Sequence, residues 1–179
     1  ITDVEGTLSI AKQYDVDAVV PVNDFGVRTA AAVSAQLGLP GLDPDVAAIC
    51  TDKARMRAVW GTEGVPQPDF SIVETFAEAQ SIFRQKAFPL IVKPANSIGG
   101  GSRGVKIVDS ESEAEAAFRF AQDAYDDDNR VLIEEFVTGT EHTVEAIVVD
   151  GQPRVLAISD REILPPPYRV DKSQVYPSE

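Results

Sequence analysis

The chain has 179 residues, 44% of them hydrophobic and 25% charged, which is an ordinary globular composition with enough length for a real core. A net charge of −13 argues against nucleic acid or an anionic membrane as the main partner, since both reward dense lysine and arginine. A single cysteine, Cys50, rules out an internal disulfide and fits a reducing, cytoplasmic compartment.

No apolar run is long enough to span a membrane, and no signal-peptide pattern opens the chain. The first residue is Ile1 rather than Met, and the residues up to Glu179 close no element, so both ends read as cuts through a longer protein. Residues 5–14 place Leu8, Ala11 and Tyr14 on one stripe and predict a short amphipathic helix. Asp17–Val22 is nearly continuous in apolar residues, which predicts a parallel strand covered on both faces. Asn23–Gly26 turns at its carboxyl end, where open α/β sheets place ligands; Asp24 either faces a pocket or caps the next helix. Val27–Leu37 is helical and stops at Gly38.

The Pro/Gly connector Leu39–Pro44 marks a subdomain boundary, so residues 1–43 read as part of a doubly wound parallel-sheet unit and 44–179 as a second region. Asp45–Cys50 begins a helix. Thr51 is the expected N-cap of the next one, which runs from Lys53 through Met56 and Trp60 and is ended by Gly61 and Gly64. A stiff Val65-Pro-Gln-Pro68 linker leads into a strand at Phe70–Val73. A helix over Phe76–Lys86 follows, with Phe76, Ala79, Ile82 and Phe83 on one stripe.

Leu90–Val92 and Val105–Val108 are short and rich in β-branched residues, so they read as a hairpin around a Gly/Ser loop, with Lys93 closing the first arm. Gly99-x-Gly101-x-x-Gly104 matches the dinucleotide fingerprint by letter. That fingerprint must open a helix, however, and here a strand follows. Glycines let backbone N–H groups converge on one point, a concavity that binds phosphate oxygens. A hairpin turn whose glycines serve only the backbone explains the loop equally well.

Ser110–Tyr125 predicts an amphipathic helix with Ala114, Ala117, Phe118 and Ala121 inward and a Ser110/Glu113 capping box. The three aspartates 126–128 lack metal-ligand spacing and read as a solvated turn. Arg130–Val137 is a strand with an acidic end. Glu141–Val149 and Arg154–Ser159 pair across an Asp150-Gly151 turn, and the tail from Pro165 is irregular.

The order of these pieces is more specific than any one of them. A lysine starts a helix (Lys53), a lysine ends a strand (Lys93), and a glycine flap follows. After a helix comes a strand ending in Glu134-Glu135-Phe136-Val137, with Glu141 four residues on. This arrangement resembles the ATP-grasp superfamily, specifically its carboxylate–amine (or thiol) ligases, the relatives of carbamoyl-phosphate synthase, biotin carboxylase and D-alanine–D-alanine ligase. The resemblance covers about residues 15 to 160.

The resemblance implies an α/β ATP-grasp fold in which residues 88–133 are a mobile lid and 134–179 begin a catalytic subdomain. It also implies that Lys53 and Lys93 contact the nucleotide phosphates, and that Gly99, Gly100, Gly101, Ser102 and Gly104 close over them. Glu134 would accept from the adenine amino group, the backbones of Glu135 and Val137 would meet the adenine edge, and Phe136 would lie on the opposite strand face. Glu141 would accept from the ribose hydroxyls.

Each role has a plainer alternative. Lys53 fits a solvated helix start, and Glu134 and Glu135 fit a solvated strand end whose side chains diverge to opposite faces. Glu141 could serve a nearby cation, and His142 reads as structural. Arg103 either contacts phosphate or substrate or closes the loop by an ion pair.

The activity implied is ATP-driven formation of an acyl phosphate on a small carboxylate, followed by attack of an amine. ATP and Mg²⁺ are the implied cofactors, and a homodimer is an assembly the resemblance leaves open. The family's metal ligands, an acidic pair and an Asn-x-Arg run, have no match here. They are expected beyond Glu179, along with the catalytic residues. A nucleotide-binding module without ligase chemistry, or a plain α/β scaffold, are the competing readings.

Overall fold

The computed structural model describes residues 2–96, 102–125, 128–165 and 170–178. The chain forms two compact units, Ile1–Glu135 and Phe136–Glu179. Both are built from antiparallel sheet, and the first adds helices, so the protein is of mixed α/β class.

The first unit opens with α1 (Val4–Tyr14), capped by the Asp3 side chain, and α2 (Val27–Leu37), ended by Gly38 at φ +65. Leu8 and Ala11 of α1 pack on Val33 of α2, with Val16, Val19 and Leu37 around them. The strand expected at Asp17–Val22 does not form a ladder. The segment has no strand neighbour among the described residues, and Val20 and Val22 are 76% and 94% exposed. An apolar run becomes a buried parallel strand only where a sheet receives it; here Val16 and Val19 pack on the helices instead.

Next come α3 (Pro44–Cys50) and α4 (Lys53–Thr62). Asp52, not Thr51, is the N-cap of α4: its backbone is extended, and its Oδ1 accepts from the Arg55 N–H at 3.0 Å. The Thr51 hydroxyl is used elsewhere, donating to the Ala47 carbonyl at 2.8 Å and accepting from Arg28 Nε at 2.5 Å. Gly61 lies inside α4 rather than ending it, and the turn comes at Gly64, where φ is +68.

The four-stranded sheet has the order β1-β4-β2-β3, with β1 at Phe70–Val73, β2 at Leu90–Pro94, β3 at Lys106–Val108 and β4 at Val131–Glu135. The expected β2–β3 pairing is present, with Leu90 opposite Val108, but the hairpin is part of a larger sheet, because β4 pairs with both β1 and β2. Strand alternation sends Val73, Leu90, Val92, Val108, Val131 and Ile133 to one face. There they form a core with Phe83 and Ala79 of α5 (Phe76–Gln85) and Phe118, Ala114, Ala117 and Ala121 of α6 (Ala114–Gln122).

Thr75 and Glu78 make a capping box at the start of α5. The box expected at Ser110 does not form. Glu113 accepts from the Asp109 N–H at 3.2 Å, Ser110 caps nothing, and a 3-10 turn over Glu111–Glu113 delays α6.

The second unit is a three-stranded sheet of β5 (His142–Val149), β6 (Gln152–Ile163) and β7 (Asp171–Val175). Asp150 and Gly151, at φ +51 and +73, make the expected hairpin turn. β7 was not expected: its Asp-Lys-Ser-Gln-Val sequence lacks apolar alternation, and pairing with β6 makes it a strand. No helix among the described residues is long and apolar enough to cross a membrane.

Candidate functional site

The sheet face opposite the helical core carries charge. Ile91 and Glu134 are directly paired, as are Lys93 and Leu132, so Lys93 and Glu134 project from that face as diagonal neighbours. Lys93 forms an ion pair with Glu134 Oε2, and Arg57 of α4 donates from Nε to Glu134 Oε1 at 2.6 Å. All three side chains are withdrawn from solvent, at 15%, 4% and 11% exposure for Lys93, Glu134 and Arg57. Glu135 points the other way and is exposed, as adjacent strand residues must. Its backbone N–H donates to the Asp69 carbonyl at 2.9 Å, so a ligand contact through Glu135 would have to use its carbonyl.

Lys53 is drawn to the same place by backbone bonds. Its N–H donates to the Ala95 carbonyl at 2.8 Å, Asp52 bridges Asn96, and Lys53 Nζ reaches the Asn96 carbonyl at 3.5 Å. Arg130 holds this junction. It donates to Asp52 Oδ2 at 2.8 Å and grips Asp128 with Nε at 2.9 Å and Nη2 at 2.7 Å. Asp128, expected in a solvated turn, is therefore an anchor; residues 126 and 127 lie outside the described residues.

Three cations thus gather around one buried carboxylate. Burial and the like charge of Lys93 lower the Lys53 ammonium to about 8, against the opposing pull of Glu134, Asp24 and Asp52. Burial also pushes Lys93 below the ordinary lysine range despite its pairing with Glu134, and Arg57 adds repulsion. Lys53 further lines a cavity of about 390 Å³ with Asp24, Val27, Cys50, Thr51 and Met56, so Asp24 does face a pocket.

Gly99, Gly100 and Gly101 lie outside the described residues. Ser102, at φ +56, accepts from the Val105 N–H at 3.1 Å, and the Arg103 guanidinium lies 5.1 Å from the Tyr125 ring centre, with no ion pair to a carboxylate among the described residues. Gly104 sits at φ +73, and a Cβ there would stand 2.7 Å from the Ala124 Cβ and 3.0 Å from Pro94. Only glycine lets the loop land against the end of β2 at that point.

In the second unit, Glu141 receives Arg161 Nη1 at 3.4 Å. With Gly139, Thr140, His142, Asp160, Arg161 and Ile163 it lines a cleft of about 530 Å³. His142 is held between Asp160 at 2.8 Å and Thr140 at 2.9 Å. Phe136 is half-buried and Val137 exposed. Lys53, Lys93 and Glu134 therefore meet in the first unit, whereas Glu141 belongs to the second. Arg57 escaped the sequence reading, although its position four residues after Lys53 on a helix was the available signal.

Residues 59–171 match the family model described as the D-ala D-ala ligase C-terminus, which is more than half of the chain. The chain belongs to this family. An uncharacterized protein, y4rH, of Sinorhizobium fredii is 30% identical over 172 residues, covering 94% of this chain and 35% of its own length. A D-alanine–D-alanine ligase of Acidovorax ebreus is 33% identical over 124 residues, 68% of this chain and 36% of that protein. The L-amino acid ligase of Bacillus licheniformis superposes with a TM-score of 0.73 at 23% identity, over 97% of this chain and 42% of the other, a likeness of fold. The chain spans about a third of the length of these two curated relatives.

Proposed function

We propose that this chain is the nucleotide-gripping part of an ATP-dependent ligase that activates a small carboxylate for attack by an amine. The observation that carries the reading is the excess of positive charge packed around buried Glu134 in a chain of net charge −13. Concentrating cations in a low-dielectric pocket costs free energy unless an anion completes the site, and a polyphosphate is such an anion.

Lys53 and Lys93 would offset the phosphate charge, and there each contact is worth more than in water. The Glu134 carboxylate offers acceptors and no proton, which suits the adenine amino group, and Glu141 likewise suits ribose hydroxyls. ATP, when bound, supplies the phosphoryl group that turns the carboxylate into an acyl phosphate. Among the described residues no group of three or more His, Cys, Asp or Glu stands ready to hold a metal ion. The family relationship and the single exposed Cys50 support a cytoplasmic setting, and a homodimer is the assembly to test by light scattering.

Titration calorimetry with ADP tests the reading on the 179-residue chain. ADP is expected to bind, and Lys93→Ala to weaken it at least tenfold in a chain that still folds; unchanged affinity would sink the assignment. Phosphate release by the whole protein across a panel of amino acids separates ligase from bare nucleotide binding.

A further inference from the structure

Arg57 is held through both its side chain and its backbone. Its Nε donates to Glu134 at 2.6 Å, its guanidinium lies 5.2 Å from the Trp60 ring centre, and its carbonyl accepts from Gln67 Nε2 at 3.0 Å. Lys93, the other partner of Glu134, is a point charge on a flexible stem, whereas arginine presents a rigid planar fork. An incoming polyphosphate would recruit the movable cation. Glu134 would then be left buried at 4% exposure with Arg57 as its fixed partner among the described residues.

We propose that Arg57 is the positioning residue through which this site selects a 6-amino purine. Arg57 holds one oxygen of Glu134 in place while the other passes from Lys93 to the base. This inference rests on the nucleotide reading above and adds to it the basis of base selection. A carboxylate offers about four lone-pair sites and no proton, so Glu134 can keep Arg57 and still accept from an adenine amino group. A 6-oxo purine presents an acceptor at that position, and two acceptors repel. Without Arg57, recruiting Lys93 to the phosphates would strand a buried anion, so the exchange would be costly and the carboxylate free to turn.

The test is equilibrium binding of ADP and inosine diphosphate to the 179-residue chain, with thermal unfolding followed in parallel. The wild-type chain is expected to prefer ADP by at least tenfold. Arg57→Met is expected to cut that preference below threefold, chiefly by weakening ADP, and Arg57→Lys to give an intermediate value. Should Arg57→Met not fold, Trp60→Leu decides instead, because it leaves the ion pair but removes the ring that holds the guanidinium.

A variant that keeps the full preference, or one that weakens both nucleotides by the same factor, overturns the positioning role and leaves nucleotide binding intact. Equal wild-type affinity for the two nucleotides overturns base selection while sparing the phosphate contacts. A wild-type chain that binds neither nucleotide overturns the underlying reading and this inference with it.

Discussion

Two charged clusters in this chain use the same residue types in different surroundings. In the first unit, Arg57, Lys93 and Glu134 are 11%, 15% and 4% exposed and sit against a close-packed sheet. In the second, Arg161 of the central strand β6, Glu141 and Asp171 are 30%, 37% and 36% exposed. Water screens the second group, so its pairs contribute little and can be exchanged one at a time. It cannot screen the first, whose members depend on one another. The difference teaches that burial, more than charge, separates a poised site from a solvated surface.

The sharpest break in this comparison is Glu134→Leu. Removing the carboxylate that pairs with both Arg57 and Lys93 strands two buried cations, and a loss of about 3–5 kcal/mol is expected in urea unfolding. A loss below about 1 kcal/mol would place the cluster in the same class as the surface pairs.

A pH series comes next. Lys53 is lowered to about 8 from an ordinary 10.5, so between those values the unfolded chain binds more protons than the folded one. The destabilisation from burying the Lys53 charge is therefore fully present below pH 8 and is relieved as pH rises toward 10.5. Phosphate binding runs the opposite way, because it needs the ammonium. ADP affinity is expected to fall as pH rises through about 8, and Lys53→Met should flatten that part of the profile. A profile unchanged by the substitution would remove Lys53 from the site. The smallest effect is expected for Asp171→Ala, which breaks one exposed pair to Arg161 and should cost about 1 kcal/mol or less in the same urea assay.

Much of the fold was legible because local pattern and tertiary outcome agree. Ala114, Ala117, Phe118 and Ala121 fall on the inward stripe of α6, and Asp150-Gly151 turns the β5–β6 hairpin. Disagreement arose where a neighbour decides. Asp17–Val22 carries the letters of a buried strand but meets no sheet among the described residues, and Asp171–Val175 carries none of them yet pairs with β6. Thr51 lost the N-cap to Asp52 because Arg28 and the Ala47 carbonyl take its hydroxyl, a competition between elements that spacing does not reveal. The family itself was legible from the order of Lys53, Lys93, the glycines and Glu134 through Glu141.

By itself, the sequence determined the residue types a nucleotide site would need and the periodic faces that carry them, because helix and strand periods are local properties of the backbone. Only the tertiary structure decided that Glu134 lies buried between Arg57 and Lys93, 77 residues from Arg57 along the chain. It also decided that the start of α4 is stitched to the end of β2 through Lys53, Ala95 and Arg130. Contacts of that separation come from strand pairing and helix docking, which bring distant side chains into one low-dielectric pocket where their charges act as a single group.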